Sequence, residues 1–119
     1  MKLSLPELRT EPFDIVTSIK NIKKMHAHQL EQTKTVNELK ETENPADQFV
    51  SEHEIKYLEE SEKFIREILS LNEEEVDILE ALERDNFMLI HSKIILSLQG
   101  YSSEAIEKIF SESDQDPKK

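Results

Sequence analysis

Four histidines and an excess of carboxylates are the residues in this 119-residue chain whose types could bind a metal or move a proton. There is no cysteine, which excludes a disulfide framework, a thiolate nucleophile and any Cys-containing metal site. His26 and His28 lie two apart, so on a helix they point about 200° away from each other and cannot share an ion. His53 sits between Glu52 and Glu54, and His91 lies in an apolar run with no acid three or four residues away. A His-Glu-x-x-His spacing is absent. His26 and His91 therefore read as packed or hydrogen-bonded helix histidines. Residues 41–85 hold sixteen acids, among them Glu59 with Glu62 and Glu80 with Glu83 at helix-neighbour spacing. Catalytic carboxylate pairs need a cleft that holds substrate and raises one pKa. A small helical chain with a solvated acidic face does not announce one, and a calcium loop would need a central glycine that is missing. No catalytic, cofactor-binding or metal-binding residue is assigned, and the expected activity is non-catalytic.

The elements that would position these side chains are almost all helical. Leu, Ile, Val and Phe make up 29% of the chain, enough to build one core, and a single glycine leaves no phosphate-cradling loop of the Rossmann or P-loop kind. Extended structure is suggested only by the alternation Lys2-Leu3-Ser4-Leu5. Thr10-Glu11-Pro12 has the form of a helix start. Ile15, Ile19, Ile22, His26 and Leu30 then make one apolar stripe, which fades into a polar stretch where only Val36 and Leu39 remain; that end should be exposed, frayed or kinked. Asn44-Pro45 marks a loop. A second helix over 47–70 carries Tyr57, Leu58, Phe64, Ile65, Ile68 and Leu69 on one face and Glu52, Glu59, Glu60, Lys63 and Glu67 on the other. Asn72 with Glu75 forms a capping box, flanked by the staple pair Leu71 and Val76. The third helix that follows bears Val76, Leu79 and Leu82 and is interrupted at Arg84-Asp85-Asn86. A fourth helix to Gln99, apolar nearly all round, should be the buried centre. Gly100 ends it in the left-handed region, and Ser102 caps a fifth helix whose buried face is Ala105, Ile106, Ile109 and Phe110. The expected organisation is an all-α helical domain over 1–111 with four to five helices, then a disordered polar tail over 112–119.

The net charge of −11 is concentrated: residues 1–40 carry +2, residues 41–85 carry −12 and residues 86–119 carry −1. Such a field repels phosphate backbones and anionic lipid, which argues against nucleic-acid and membrane partners. Binding of protein is what remains. The candidate contact residues are Phe87, Met88 and Ile90, from a run of four large apolar side chains, and Leu30 and Leu39 at the weakly amphipathic end of the first helix. Homo-oligomerisation is open. A role from a different class is a DNA mimic, whose carboxylates would imitate phosphates in the cleft of a DNA-binding protein.

The succession from Phe64-Ile-Arg-Glu-Ile-Leu through Leu71-Asn-Glu-Glu-Glu-Val-Asp-Ile-Leu-Glu-Ala-Leu82, followed by the helix ending Leu96-Ser-Leu-Gln-Gly100, resembles the tail-assembly chaperones of long-tailed bacteriophages and prophages. The likeness covers residues 55–100. Members of that family often begin with a β-hairpin, of which only Lys2 to Leu5 is visible here. The resemblance implies a small helical protein, without cofactor, that coats the aggregation-prone tape-measure protein in the host cytoplasm and helps bring tail-tube subunits to it. Members are often also made in a longer, frameshifted form.

Overall fold

In the computed structural model, residues 1–114 are described. The order is β1 (Lys2–Leu3), β2 (Phe13–Asp14), α1 (Ile19–Glu41), α2 (Asp47–Leu69), α3 (Glu73–Glu80), α4 (Arg84–Leu98) and α5 (Ser103–Asp114). The all-α expectation holds, with a short antiparallel strand pair added at the N-terminus in the register Lys2 to Asp14 and Leu3 to Phe13. The expected tail is helical as far as Asp114, and the rest of it lies outside the described residues.

The helix expected to start at Thr10 starts at Ile19 instead, with Ser18 accepting from the Asn21 amide at 3.1 Å. The reason is that Phe13 and Ile15 belong to a period of two: both are buried, while Asp14 and Val16 between and after them face water. The Ile15 amide donates to the Met1 carbonyl at 2.7 Å and continues the strand pair. Leu3, Leu5, Leu8, Phe13 and Ile15 are all at most 3% exposed, so this segment is a lid on the core. It is anchored twice. Arg9 lies over the Phe13 ring at 3.9 Å and pairs with Glu75 at 3.6 Å, and the Ser103 hydroxyl donates to the Lys2 carbonyl.

α1 and α2 form a long antiparallel pair, and α4 packs on both. The turn between them contains Asn44 at φ 49°, next to Pro45 as expected. α1 runs as one helix to Glu41, and of the three alternatives expected for its end, exposed, frayed or kinked, the exposed one describes it: Thr33, Lys34, Asn37, Lys40 and Glu41 face water and Val36 and Leu39 are half-buried. α2 ends with Ser70 at φ 54°, a left-handed residue with a Cβ. The capping box forms as read: the Glu75 amide donates to Asn72 Oδ1 at 2.8 Å and the Asn72 amide donates to Glu75 Oε1 at 3.1 Å. The break after α3 falls at residues 81–83, three residues before the expected one, so Arg84 to Asn86 open α4. α4 supplies the centre of the core through Phe87, Ile90, Ile94 and Leu98, against Phe64, Ile65 and Ile68 of α2 and Ile106 of α5. Gly100, at φ 104°, lets the Tyr101 and Gly100 amides reach back to the Leu96 and Ser97 carbonyls at 3.1 and 3.2 Å. In α5, Ile106 is buried, but Ile109 is 38% exposed and leaves the predicted face.

Candidate protein-docking groove

The largest departure from the sequence reading is the rotation of α1. The stripe through Ile19, Ile22, His26 and Leu30 does not face the interior as a whole: Ile19 is 69% and Leu30 73% exposed, His26 is exposed, and only Ile22 is half-buried. Ile15, its first member, is buried from the strand instead. The buried edge of α1 is Met25, His28, Gln32 and Thr35, three of them polar. These polar groups are satisfied across a seam of three helices. His28 Nε2 meets His91 Nε2 of α4 at 2.8 Å, with one ring donating and the other accepting, and the His28 ring stacks on Phe64 at 4.3 Å. Gln32 Nε2 donates to Ser61 Oγ of α2 at 2.7 Å, and Ser61 donates on to the Tyr57 carbonyl at 3.0 Å. The Thr35 hydroxyl donates to the Glu31 carbonyl at 3.2 Å and lies beside the Glu60 carboxylate. Burial lowers the pKa of both seam histidines, His91 to about 4, with the facing His28 as a second cause for His91. The pair is therefore neutral at pH 7. Of the two histidines read as packed, His91 is in the seam and His26 is exposed; His28 is the partner that the sequence did not single out. No group of three or more metal-binding side chains occurs among the described residues.

Beyond this seam, α1 and α4 diverge and leave a groove. A cavity of about 270 Å³ is walled by Val36 and Leu39 of α1, Val50, Tyr57 and Leu58 of α2, and Met88 of α4. A second, wider hollow of about 750 Å³ shares Val36, Tyr57 and Met88 and continues to Ile95 and Leu96. The rim carries hydrogen-bonding and charged groups: Gln29, Asn37, Lys40, His53, Glu54 and Arg84. His53 of α2 reaches across to α1, donating from Nδ1 to the Phe49 carbonyl at 2.9 Å with Nε2 at 3.2 Å from Glu38 Oε1. Arg84 is tied to Glu54.

Of the five residues singled out for contact, the fold brings Met88 and Leu39 together on this groove. Phe87 is 9% exposed, at the edge of a separate hollow lined by Leu58, Leu79 and Leu82, and Ile90 is fully buried; on α4 the two share the face that makes the core. Leu30 is exposed on the outer side of α1, in line with the rim residue Asn37 and turned away from the floor residues Val36 and Leu39. Tyr57, Leu58, Ile95 and Leu96 were legible only as helix-packing residues. That some of that packing face is left open between α1, α2 and α4 is a property of tertiary placement, which periodicity does not encode.

A second titratable contact joins α2 to α3. The Glu62 carboxyl is pushed up to about 7, first by burial and then by donating a hydrogen bond to, and standing near the charge of, Glu80. When ionised, its Oε2 is buried with no donor facing it.

An apolar floor with a polar rim is suited to holding an amphipathic helix. No helix of the described residues is long and apolar enough to cross a membrane. No solved structure and no curated protein matches the chain. The family model for phage tail assembly chaperone proteins, by contrast, matches residues 1–115, which extends the likeness seen over 55–100 to nearly the whole chain. The chain belongs to the phage tail assembly chaperone family.

Proposed function

We propose that this chaperone holds helical segments of the tape-measure protein in the groove between α1 and α4 and helps bring tail-tube subunits to it, without catalysis. The observation that carries this reading is the continuous apolar floor of Val36, Leu39, Tyr57, Met88, Ile95 and Leu96. A helix presents side chains at i, i+3, i+4 and i+7 on one face, and a groove of two joined hollows suits such a row of anchors. The thioether of Met88, unbranched and polarisable, adapts to anchors of different shape, as binding many segments of one long protein requires. The net charge of −11 keeps a coated complex soluble by repulsion between its copies. The process takes place in the host cytoplasm.

The test is co-expression with the tape-measure protein encoded with this chaperone, followed by a solubility assay and co-purification. Wild type should rescue solubility. Met88→Glu, at a half-buried position, should keep its far-UV circular dichroism and weaken binding at least about tenfold. Failure of the wild type to rescue, or full binding by Met88→Glu, would overturn the assignment.

A further inference from the structure

Beside the groove lies a further hollow, of about 470 Å³, between α2, α3 and the start of α4. Leu58 and Arg84 line both, so the two are neighbours on one surface. Its walls are apolar: Leu58 of α2, Leu79 of α3, Leu82 of the turn that follows and Phe87 of α4. Set into them are the carboxylates of Glu62 and Glu80. Neither is ion-paired among the described residues, and Glu62 Oε2 is shut off from water with no donor facing it. The guanidinium on the wall, Arg84, is tied to Glu54 instead. Two carboxylates in apolar surroundings, one of their oxygens unsatisfied, lack a cation, because a carboxylate taken out of water stays ionised only when it is paired.

We infer that this hollow receives a lysine side chain of the helix held in the groove, its methylenes against Leu58, Leu79, Leu82 and Phe87 and its ammonium between Glu62 and Glu80. Lysine meets both demands of the hollow: an apolar stem that packs, and a compact charge whose three donors two carboxylates can share. Glu62 lies four residues past Leu58 on α2, about 6 Å, so the lysine belongs about one turn beyond an anchor seated over Leu58. The hollow thus adds a charge requirement to a groove that otherwise selects by apolar spacing: a lysine in that register is held and an acid there is repelled. That the lysine belongs to this helix rests on the groove reading proposed above; that the hollow takes an ammonium on an apolar stem does not.

The charges around Glu62 are Glu59 and Arg66 on α2, Glu80 on α3 and Arg84 on α4. Up to about pH 7 the Glu62 carboxyl holds a proton, which must leave to solvent before an ammonium can take its place. Nuclear magnetic resonance titration of the full chain with n-hexylammonium, an apolar stem with lysine's head group, tests the hollow without a protein partner. At about pH 7.5, where such an amine is charged, it should shift the Leu58, Glu62, Leu79 and Glu80 amides saturably, and n-hexanoate should not. Glu62→Gln, which is neutral throughout, should weaken binding at least about tenfold. Wild-type affinity should rise by up to about tenfold per pH unit below about pH 7 and level off above it, while that of Glu62→Gln stays flat. Met88→Glu, which alters the groove, should leave the hexylammonium shifts in place, so the groove reading and this one fail separately. Absence of a saturable shift, equal binding of hexanoate, or Glu62→Gln binding like the wild type would overturn the inference. In co-purification with the tape-measure protein, Glu62→Gln with Glu80→Gln should weaken the wild-type complex at least about tenfold. An undiminished complex would overturn the assignment of the lysine to that helix.

Discussion

Replacing Glu62 by Gln should stabilise the protein, and by an amount that depends on pH in one direction only. In the folded chain the Glu62 carboxyl keeps its proton up to about pH 7, against an ordinary value of 4.5, chiefly because burial disfavours the charge and secondarily because its proton bridges to Glu80. Below pH 4.5 folded and unfolded states are both protonated and nothing is lost. Between 4.5 and 7 the unfolded chain releases its proton first, so stability falls as pH rises; above 7 the full loss is in place. A displacement of about 2.5 pH units sets a ceiling of about 3.4 kcal/mol at 1.36 kcal/mol per unit. Glu62 is only half-buried, and screening by the water that reaches it brings the expected effect to about 1–2 kcal/mol. Gln is neutral throughout and can still donate to the Glu80 carboxylate. Urea denaturation of wild type and Glu62→Gln at pH 4.5 and pH 8 measures the difference: near zero at the first, about 1–2 kcal/mol in favour of the variant at the second. A stability difference that does not change with pH would refute the shared proton between α2 and α3.

The seam histidines have the opposite sign. Burial holds His91 at about 4, so between 6.5 and 4 the unfolded chain binds more protons and stability is lost as pH falls; His91→Gln should flatten this acid limb in pH-dependent thermal melts, and an unchanged limb would contradict the buried pair. Ser70 ends α2 at φ 54° with a Cβ in place. Ser70→Gly removes that strain at some cost in unfolded-state entropy and should raise stability by about 0.5–1 kcal/mol, read from the midpoint of chemical denaturation; a loss would mean that the Ser70 side chain supports the cap in another way.

The parts of the fold that were legible in the sequence are those where local chemistry and tertiary packing agree. Asn72 and Glu75 close their capping box, Gly100 takes the left-handed position, and the α2 face of Phe64, Ile65, Ile68 and Leu69 is buried, because in each case the residue has one good local answer and the core asks for the same one. α1 is where they disagree. Its apolar residues at 19, 22 and 30 and its buried residues at 25, 28, 32 and 35 are both spaced like a helix face, with centres about 145° apart, and periodicity selects the more apolar of the two. The polar one is buried because partners from elsewhere in the chain satisfy it: Ser61, His91 and the Tyr57 carbonyl. Those partners are 25 to 63 residues away in sequence, and no local pattern announces them.

The same disagreement is informative about function. A helix that spends its hydrogen bonds on its own core and its isoleucine and leucine on solvent gains nothing in the isolated chain from the outer apolar residues, since exposed apolar side chains contribute no burial. Ile19→Ser and Leu30→Ser should therefore leave the unfolding free energy of the monomer within about 0.5 kcal/mol of wild type, while Met25→Ala, fully buried on the same helix, should cost about 2–5 kcal/mol. Both follow from chemical denaturation of dilute protein. If instead the two outer substitutions cost as much as Met25→Ala, α1 is rotated from the orientation described, the polar seam does not form, and the outer stripe is core after all.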